Sequence, residues 1–193
     1  LFSDIQQKKL CEHLLKSTDN TSIGVLLSLY TGLRIGEICG LKWSDIDLEK
    51  SILTVRRTVQ RIRTSIHETK LIVDTPKSRT SQRSIPIPAF LMDILRKFRK
   101  CDDFYILSGS TKVTEPRTMQ RRFKTILKKA GLPSINYHSL RHMFATNCIQ
   151  LGFDVKTLSE ILGHASVETT LNRYVHSSME RKTQCMNLLK IAA

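Results

Sequence analysis

The hydrophobic period changes twice along this chain, and no other feature limits its fold as tightly. Ile23, Leu26, Leu27 and Tyr30 recur at i, i+3, i+4 and i+7, the spacing of one helical face. Between Ile52 and Ile87 the period drops to two. Leu53, Val55 and Val59, then Leu71 and Val73, then Ile85 and Ile87 alternate with polar neighbours. Helical spacing returns with Leu91, Ile94, Leu95 and Phe98. Short alternating runs set inside helical ones predict an α+β chain, mainly helical, with a small three-stranded antiparallel sheet on one edge. Pro86 and Pro88 assign the third run to an edge strand, because proline cannot donate to a ladder. The 193 residues suffice for one domain with a sizeable core, so residues 1–193 are expected to form one unit.

Local punctuation sets the helix ends. Ser3 with Gln6 three residues on is a capping box, and the helix it opens should run to about Leu15, before the break at Ser17-Thr18-Asp19-Asn20. The second helix, read as amphipathic, ends at Thr31-Gly32, and a short helix carrying Ile38 and Leu41 begins at Arg34. A helix from about Pro116 to Ala130 has Met119, Phe123, Ile126, Leu127 and Ala130 on one face. Arg117, Arg121, Lys124 and Lys128 lie on the other, a cationic ridge that suits a DNA groove or backbone but equally a solvated face. Further on, Leu140, Met143, Phe144, Cys148 and Leu151 form an apolar helical side ended by Gly152. Asp154 caps a helix carrying Val155, Leu158, Ile161 and Leu162, Gly163 stops it, and Ser166 can cap a third.

Charge narrows the partner. Thirty-one Lys and Arg against seventeen Asp and Glu leave +14, with a pI near 9.9, which favours a polyanion, nucleic acid first and an anionic membrane surface second. No apolar run approaches 18 residues and no signal-peptide core is present, so spanning and secretion are set aside and a cytoplasmic protein is expected. Cys11, Cys39, Cys101, Cys148 and Cys185 include no C-x-x-C pair and read as reduced, mostly core thiols.

The chemistry-bearing stretch runs from Tyr137 to Tyr174. His138, Arg141 and His142 share one side of a first helical turn, and three helix ends bring His138, Arg141, His164 and Tyr174 within reach of one another. Positive donors around a nucleophilic hydroxyl are what phosphoryl transfer asks of a protein. The pair His138 and His142 also has zinc-like i, i+4 spacing, but no glutamate follows the first histidine and no further ligand set is near, so no metal is expected.

His138-x-x-Arg141, Leu162-Gly163-His164, and Tyr174 ten residues after that histidine resemble the C-terminal signature of the tyrosine recombinases, the phage-integrase family. Thr31-Gly32-Leu33-Arg34-Ile35-Gly36-Glu37 resembles that family's first arginine motif. The resemblance runs from Leu1 nearly to the end, and Tyr174-Val175-His176-Ser177-Ser178-Met179-Glu180 looks most like integrases of bacterial mobile elements. It implies site-specific DNA recombination, integrating or excising a phage or transposon through a 3′-phosphotyrosyl link, without metal, ATP or other cofactor. Tyr174 would be the nucleophile, and Arg34 and Arg141 the clamp on the non-bridging oxygens. His138 would assist proton removal, His164 would bond the phosphate, and Lys77, in the loop from Thr75 to Arg83, would be the general acid. Arg79 and Arg83 in that loop, with Arg117, Arg121, Lys124 and Lys128, would contact DNA.

In integrases of this kind a DNA-clamp domain precedes the catalytic one. Since the chain opens on a helix cap and not on methionine, a fragment lacking that domain is expected. The partner implied is a double-stranded recombination site in the bacterial nucleoid, bound by a homo-tetramer coupled through the apolar tail Ser177 to Ala193, with room for an accessory DNA-bending or directionality factor. A dimer resolvase of the same family shares every catalytic group. From another class, a basic helical DNA-binding module without catalysis remains open. Taken alone, Tyr174 would be a core tyrosine, Arg34 a helix-end arginine paired with Glu37, and His176 a surface residue. Arg79 and Lys70 compete with Lys77 for the phosphate.

Overall fold

The computed structural model describes residues 1–17, 19–65, 68–75 and 81–174, together with 179, 183, 186 and 187. Its centre is α2 (Asn20–Thr31), which the Asp19 carboxylate caps by accepting from Ser22 N–H at 2.9 Å. The apolar spacing predicts one buried face, but Ser22 to Leu29 and Thr31 are all buried. The difference lies in its short polar side chains, which are satisfied internally: Ser28 Oγ donates to Gly24 O at 3.0 Å, and Thr31 Oγ1 bonds Leu27 O. Around α2 pack α1 (Asp4–Leu15), α3 (Ile35–Cys39), α4 (Ala89–Phe98), α5 (Pro116–Lys129) and α6 (His138–Gln150). The Ser3–Gln6 capping box opens α1 as its sequence predicts. Gly32, at φ 66°, closes α2 in the left-handed region, where a Cβ would also lie 2.6 Å from the Phe144 ring and 2.8 Å from Leu162.

A three-stranded antiparallel sheet is present at the edge of the helical body, with a membership different from the expected one. Its order is β1 (Ile46–Asp47), β2 (Ile52–Val55), β5 (Arg83–Pro86), so the proline-bearing strand is at an edge as anticipated. Leu53 lies opposite both Ile46 and Ile85, and the three side chains are buried together. Val59 does not continue β2. The chain breaks at Arg56-Arg57, where Arg57 reaches the buried Asp45 carboxylate and Gly40 O. It then forms a separate hairpin, β3 (Thr58–Arg63) with β4 (Thr69–Asp74), in which Val59 faces Val73. Only the base of that hairpin is buried, at Val59, and its outer half stands in solvent.

The C-terminal helices α6, α7 (Val155–Leu162) and α8 (Val167–Tyr174) enclose a second, smaller core of Ala145, Cys148, Leu158, Leu162 and Tyr174. Leu151, read as part of the apolar side of α6, is 77% exposed because it lies past the last turn that packs. Asp154 caps α7 through Thr157 N–H at 2.9 Å, Gly163 ends it at φ 66°, and Ser166 Oγ accepts from Glu168 N–H as α8 begins. Of the described cysteines, Cys39 and Cys148 are buried thiols, Cys11 is half-buried and Cys101 exposed. No helix among the described residues is long and apolar enough to cross a membrane.

Candidate active site

Arg34 is the N-cap of α3, held between two packed helices. Glu37, 3% exposed, accepts from the Arg34 backbone N–H at 2.8 Å and from its Nη1 at 2.9 Å, so one carboxylate fixes both the helix start and the guanidinium. A second arginine grips the same carboxylate as a fork. Arg83 donates to Glu37 Oε1 and Oε2, both at 3.0 Å, and through Nε to Ile161 O. Burial alone would raise the Glu37 pKa, but the Arg83 and Arg34 guanidiniums outweigh it and hold the carboxyl below its ordinary range. Arg83, expected among the DNA contacts, is engaged here in an internal ion pair. Its side chain is 6% exposed and turned inward, because a buried carboxylate needs a bidentate partner more than solvent needs another cation.

Arg141, on the first turn of α6, is 2% exposed. It donates through Nη1 to Gly32 O at 2.8 Å and through Nη2 to Leu162 O at 2.7 Å, and Arg34 Nη2 donates to Gly163 O at 3.0 Å. The two guanidiniums are thus fastened to the carbonyls at the ends of α2 and α7, the helix ends marked by Gly32 and Gly163. Burial, then Arg34, push the Arg141 pKa down to about 9, which still leaves it charged near neutrality. Each guanidinium keeps N–H groups beyond those bonds.

Tyr174 closes the cluster from α8. It is 8% exposed, and its hydroxyl is buried without a protein hydrogen-bond partner among the described residues. Its ring lies between two imidazoles, parallel to His164 at 6.4 Å and tilted against His142 at 5.6 Å. His142 in turn meets His138 edge to face at 4.5 Å. His164 Nδ1 is 2.8 Å from the Oγ1 of the fully buried Thr170. Burial, followed by the surrounding arginines, pushes His164 down to about 4, and His138, which keeps an exposed edge but packs against His142, is lowered in the same direction, so both are neutral at pH 7.

Arg34, His138, Arg141, His164 and Tyr174 are therefore gathered in one place from α3, α6, the end of α7 and α8. Lys77 and Arg79 lie outside the described residues. Arg117, Arg121 and Lys124 line an open cleft of about 570 Å³ with Asn136 and the Arg61–Glu115 ion pair (2.6 Å), while Lys128 is exposed further along α5. His142, which the sequence places beside His138 and Arg141 on one side of the first turn without assigning it a step, lies against Tyr174, and Thr170, which the sequence did not single out, bonds His164; the burial of Thr170 has no local signal.

Two arginines, the imidazoles and one tyrosine converging on a mainly helical α+β body define a tyrosine recombinase catalytic domain. Residues 6–181 match the phage integrase family, and the chain belongs to that family. It is 35% identical to a XerC-like tyrosine recombinase of Caldanaerobacter subterraneus subsp. tengcongensis over 97% of the chain and 53% of that protein. It is 33% identical to tyrosine recombinase XerA of Pyrococcus furiosus over 98% of the chain and 62% of that protein. The fold matches the Tn1549 transposon integrase, solved in complex with transposon right end DNA, at a TM-score of 0.78 and 23% identity over 97% of this chain and 65% of that one. The chain thus spans less than two thirds of the length of these relatives.

Proposed function

We propose that this domain cleaves and rejoins DNA at a specific site through a covalent tyrosine link. The observation that carries the reading is the placement of Tyr174, from the same chain, between two imidazoles and in the field of Arg141. A phenol with an ordinary pKa near 10 is protonated at pH 7, so attack needs a proton acceptor and a phosphorus made electrophilic by cations. Arg34 and Arg141, pre-fastened to main-chain carbonyls, would receive the non-bridging oxygens with their remaining N–H groups, at no reorganisation cost in the transition state. Neutral His138 would help take the phenolic proton. Neutral His164 would donate from Nε2 to the phosphate, provided Nδ1 accepts from Thr170. Lys77 would protonate the departing 5′ oxygen.

The 3′-phosphotyrosyl link conserves the phosphodiester energy, so a 5′ hydroxyl from another strand can reverse the attack without ATP or metal. Binding would draw on the α5 ridge, Arg117, Arg121, Lys124 and Lys128, against the duplex. The full protein would act on a double-stranded recombination site at the bacterial nucleoid. It would do so as a tetramer coupled through the C-terminal tail, where the described Met179 and Met186 are exposed, with an accessory factor setting direction. Integration or excision of a mobile element is the first reading, supported by the likeness to a transposon integrase. Dimer resolution is the second, favoured by the identity to Xer-type recombinases.

A nicked suicide duplex carrying the recombination site tests the chemistry. Wild-type protein should become trapped on DNA in an SDS-resistant adduct, and Tyr174→Phe should bind the same duplex and form none. Band shifts without adduct from the wild type would leave only a DNA-binding module.

A further inference from the structure

The buried hydroxyl of Tyr174 has no hydrogen-bond partner among the described residues and must lose a proton to water, and two imidazoles neighbour its ring. His164 is committed through Nδ1 to Thr170. His142, one turn after His138 on α6, is the other imidazole against Tyr174, and among the described residues neither of its nitrogens is hydrogen-bonded. It is half-buried, whereas His138 beyond it is exposed. Resting on the recombinase reading, we propose that His142 is a proton relay: it receives the Tyr174 proton as the phenolic oxygen attacks and passes one on to His138 and so to water.

Imidazole suits this because it accepts at one nitrogen while releasing from the other, which neither lysine nor arginine can do near neutrality. The step balances. The Tyr174 Oη–phosphorus bond forms and the phosphorus–5′-oxygen bond breaks. The phenolic proton leaves through His142 and His138, and the 5′ oxygen takes its proton from the separate general acid. Rejoining runs the same path backward. The groups bearing on His142 are Arg141 and His138 on its own helix, Arg173 and Tyr174 on α8, and the amino group of Leu1. Burial first, then Arg173, Arg141 and the Leu1 amino group, lower its pKa, so it starts neutral and holds the proton only in passing.

The test is the rate of adduct formation on the suicide duplex from pH 6 to pH 9 for wild type, His142→Phe and His142→Gln. Phenylalanine keeps a ring between His138 and Tyr174, and glutamine keeps hydrogen bonding; neither relays a proton. Both variants should be slowed on the order of 10²-fold at pH 7, with the deficit shrinking as hydroxide takes over the proton at higher pH. The deficit should persist on a 5′-bridging phosphorothiolate, whose sulfur leaves without a proton. If Phe fails to fold, as judged by its melting curve, Gln decides. A rate within threefold of wild type, a deficit constant across pH, or rescue by the phosphorothiolate overturns the relay while leaving the recombinase reading intact. No adduct from the wild type at any pH sinks that reading and the relay with it.

Discussion

Arg141 is 2% exposed and commits two N–H groups to the carbonyls of Gly32 and Leu162. Arg121, on the outer face of α5, stands in solvent, and the one hydrogen bond of its side chain among the described residues is to the Thr118 hydroxyl, at 3.4 Å. The same contrast separates Arg83, locked on Glu37, from Arg117 and Lys124 along the ridge. One set of cations is fixed before any phosphate arrives; the other keeps its freedom and its hydration. A group that must stabilise a transition state gains from being fixed in advance, because ordering it then costs nothing at the moment of reaction. A group that follows a DNA backbone gains chiefly from charge and counterion release, for which a loose side chain suffices. Position within the fold, more than residue type, divides the two.

That division breaks first, if it is wrong, at Arg141. Arg141→Lys keeps the charge but loses the fork that reaches two carbonyls and, in the proposed mechanism, would reach a phosphate with them. Cleavage of the suicide duplex should fall on the order of 10² to 10³-fold, with DNA affinity little changed. A cleavage rate near wild type would mean that charge alone matters in the cluster. Arg83→Ala comes next, as a loss of stability. It removes the bidentate partner of a carboxylate that is 3% exposed and leaves it, among the described residues, a single close ion pair, to Arg34, which is 38% exposed. We expect about 3 kcal/mol, the low end for breaking a buried pair, seen as a fall in melting temperature of roughly 10 °C. An unchanged melting temperature would show that Arg83 can be released toward DNA after all.

A smaller effect separates the imidazoles from the carboxylate. His164 is held near pKa 4 in the folded chain against an ordinary 6.5, and His138 is lowered in the same direction, so between those values the unfolded chain binds more protons. Their contribution is fully present above pH 6.5 and declines as pH falls toward 4. The Glu37 carboxylate, held below its ordinary 4.5, contributes above that value and loses its contribution at lower pH still. Melting followed from pH 7.5 to 5 should drift downward in wild type and less steeply in His164→Gln. Equal drift in both would remove His164 from the account.

These contrasts were only partly legible in the sequence. Helix ends were, because Ser3, Gly32, Asp154 and Gly163 act on their own neighbours, and local chemistry is written locally; Asp19, met only as part of a break, turned out to cap α2. The nearness of His138, Arg141, His164 and Tyr174 was legible through the spacing of helix ends, whereas Arg34, over a hundred residues upstream, entered only through its likeness to a family motif. Strand pairing was not: alternation gives each run a period but no partner, and the break at Arg56-Arg57 depends on Asp45, twelve residues before Arg57. The inward turn of Arg83 was hidden for the same reason, since it answers a carboxylate 46 residues away. Leu151 shows the converse, a residue in register with a buried stripe but one turn beyond what the stripe packs against.

The ridge offers the smallest effect and the sharpest control. Arg117, Arg121 and Lys124 line the α5 cleft without a close ion pair among the described residues; Glu115, at the start of their helix, is hydrogen-bonded to Arg61 at 2.6 Å and feels Arg117 and Arg121 only through space. Replacing any one by Ala should leave the melting temperature within about 0.5 kcal/mol of wild type in stability. DNA affinity should weaken and the slope of log K against log salt should flatten by roughly 0.9 for each phosphate no longer neutralised. A double replacement should flatten it further, by up to roughly twice that where each side chain neutralises its own phosphate. If Arg121→Ala instead slows cleavage of bound duplex as much as Arg141→Lys does, the ridge belongs to the reacting cluster. Unchanged affinity and slope would instead mean that the duplex lies elsewhere and that the face is merely solvated.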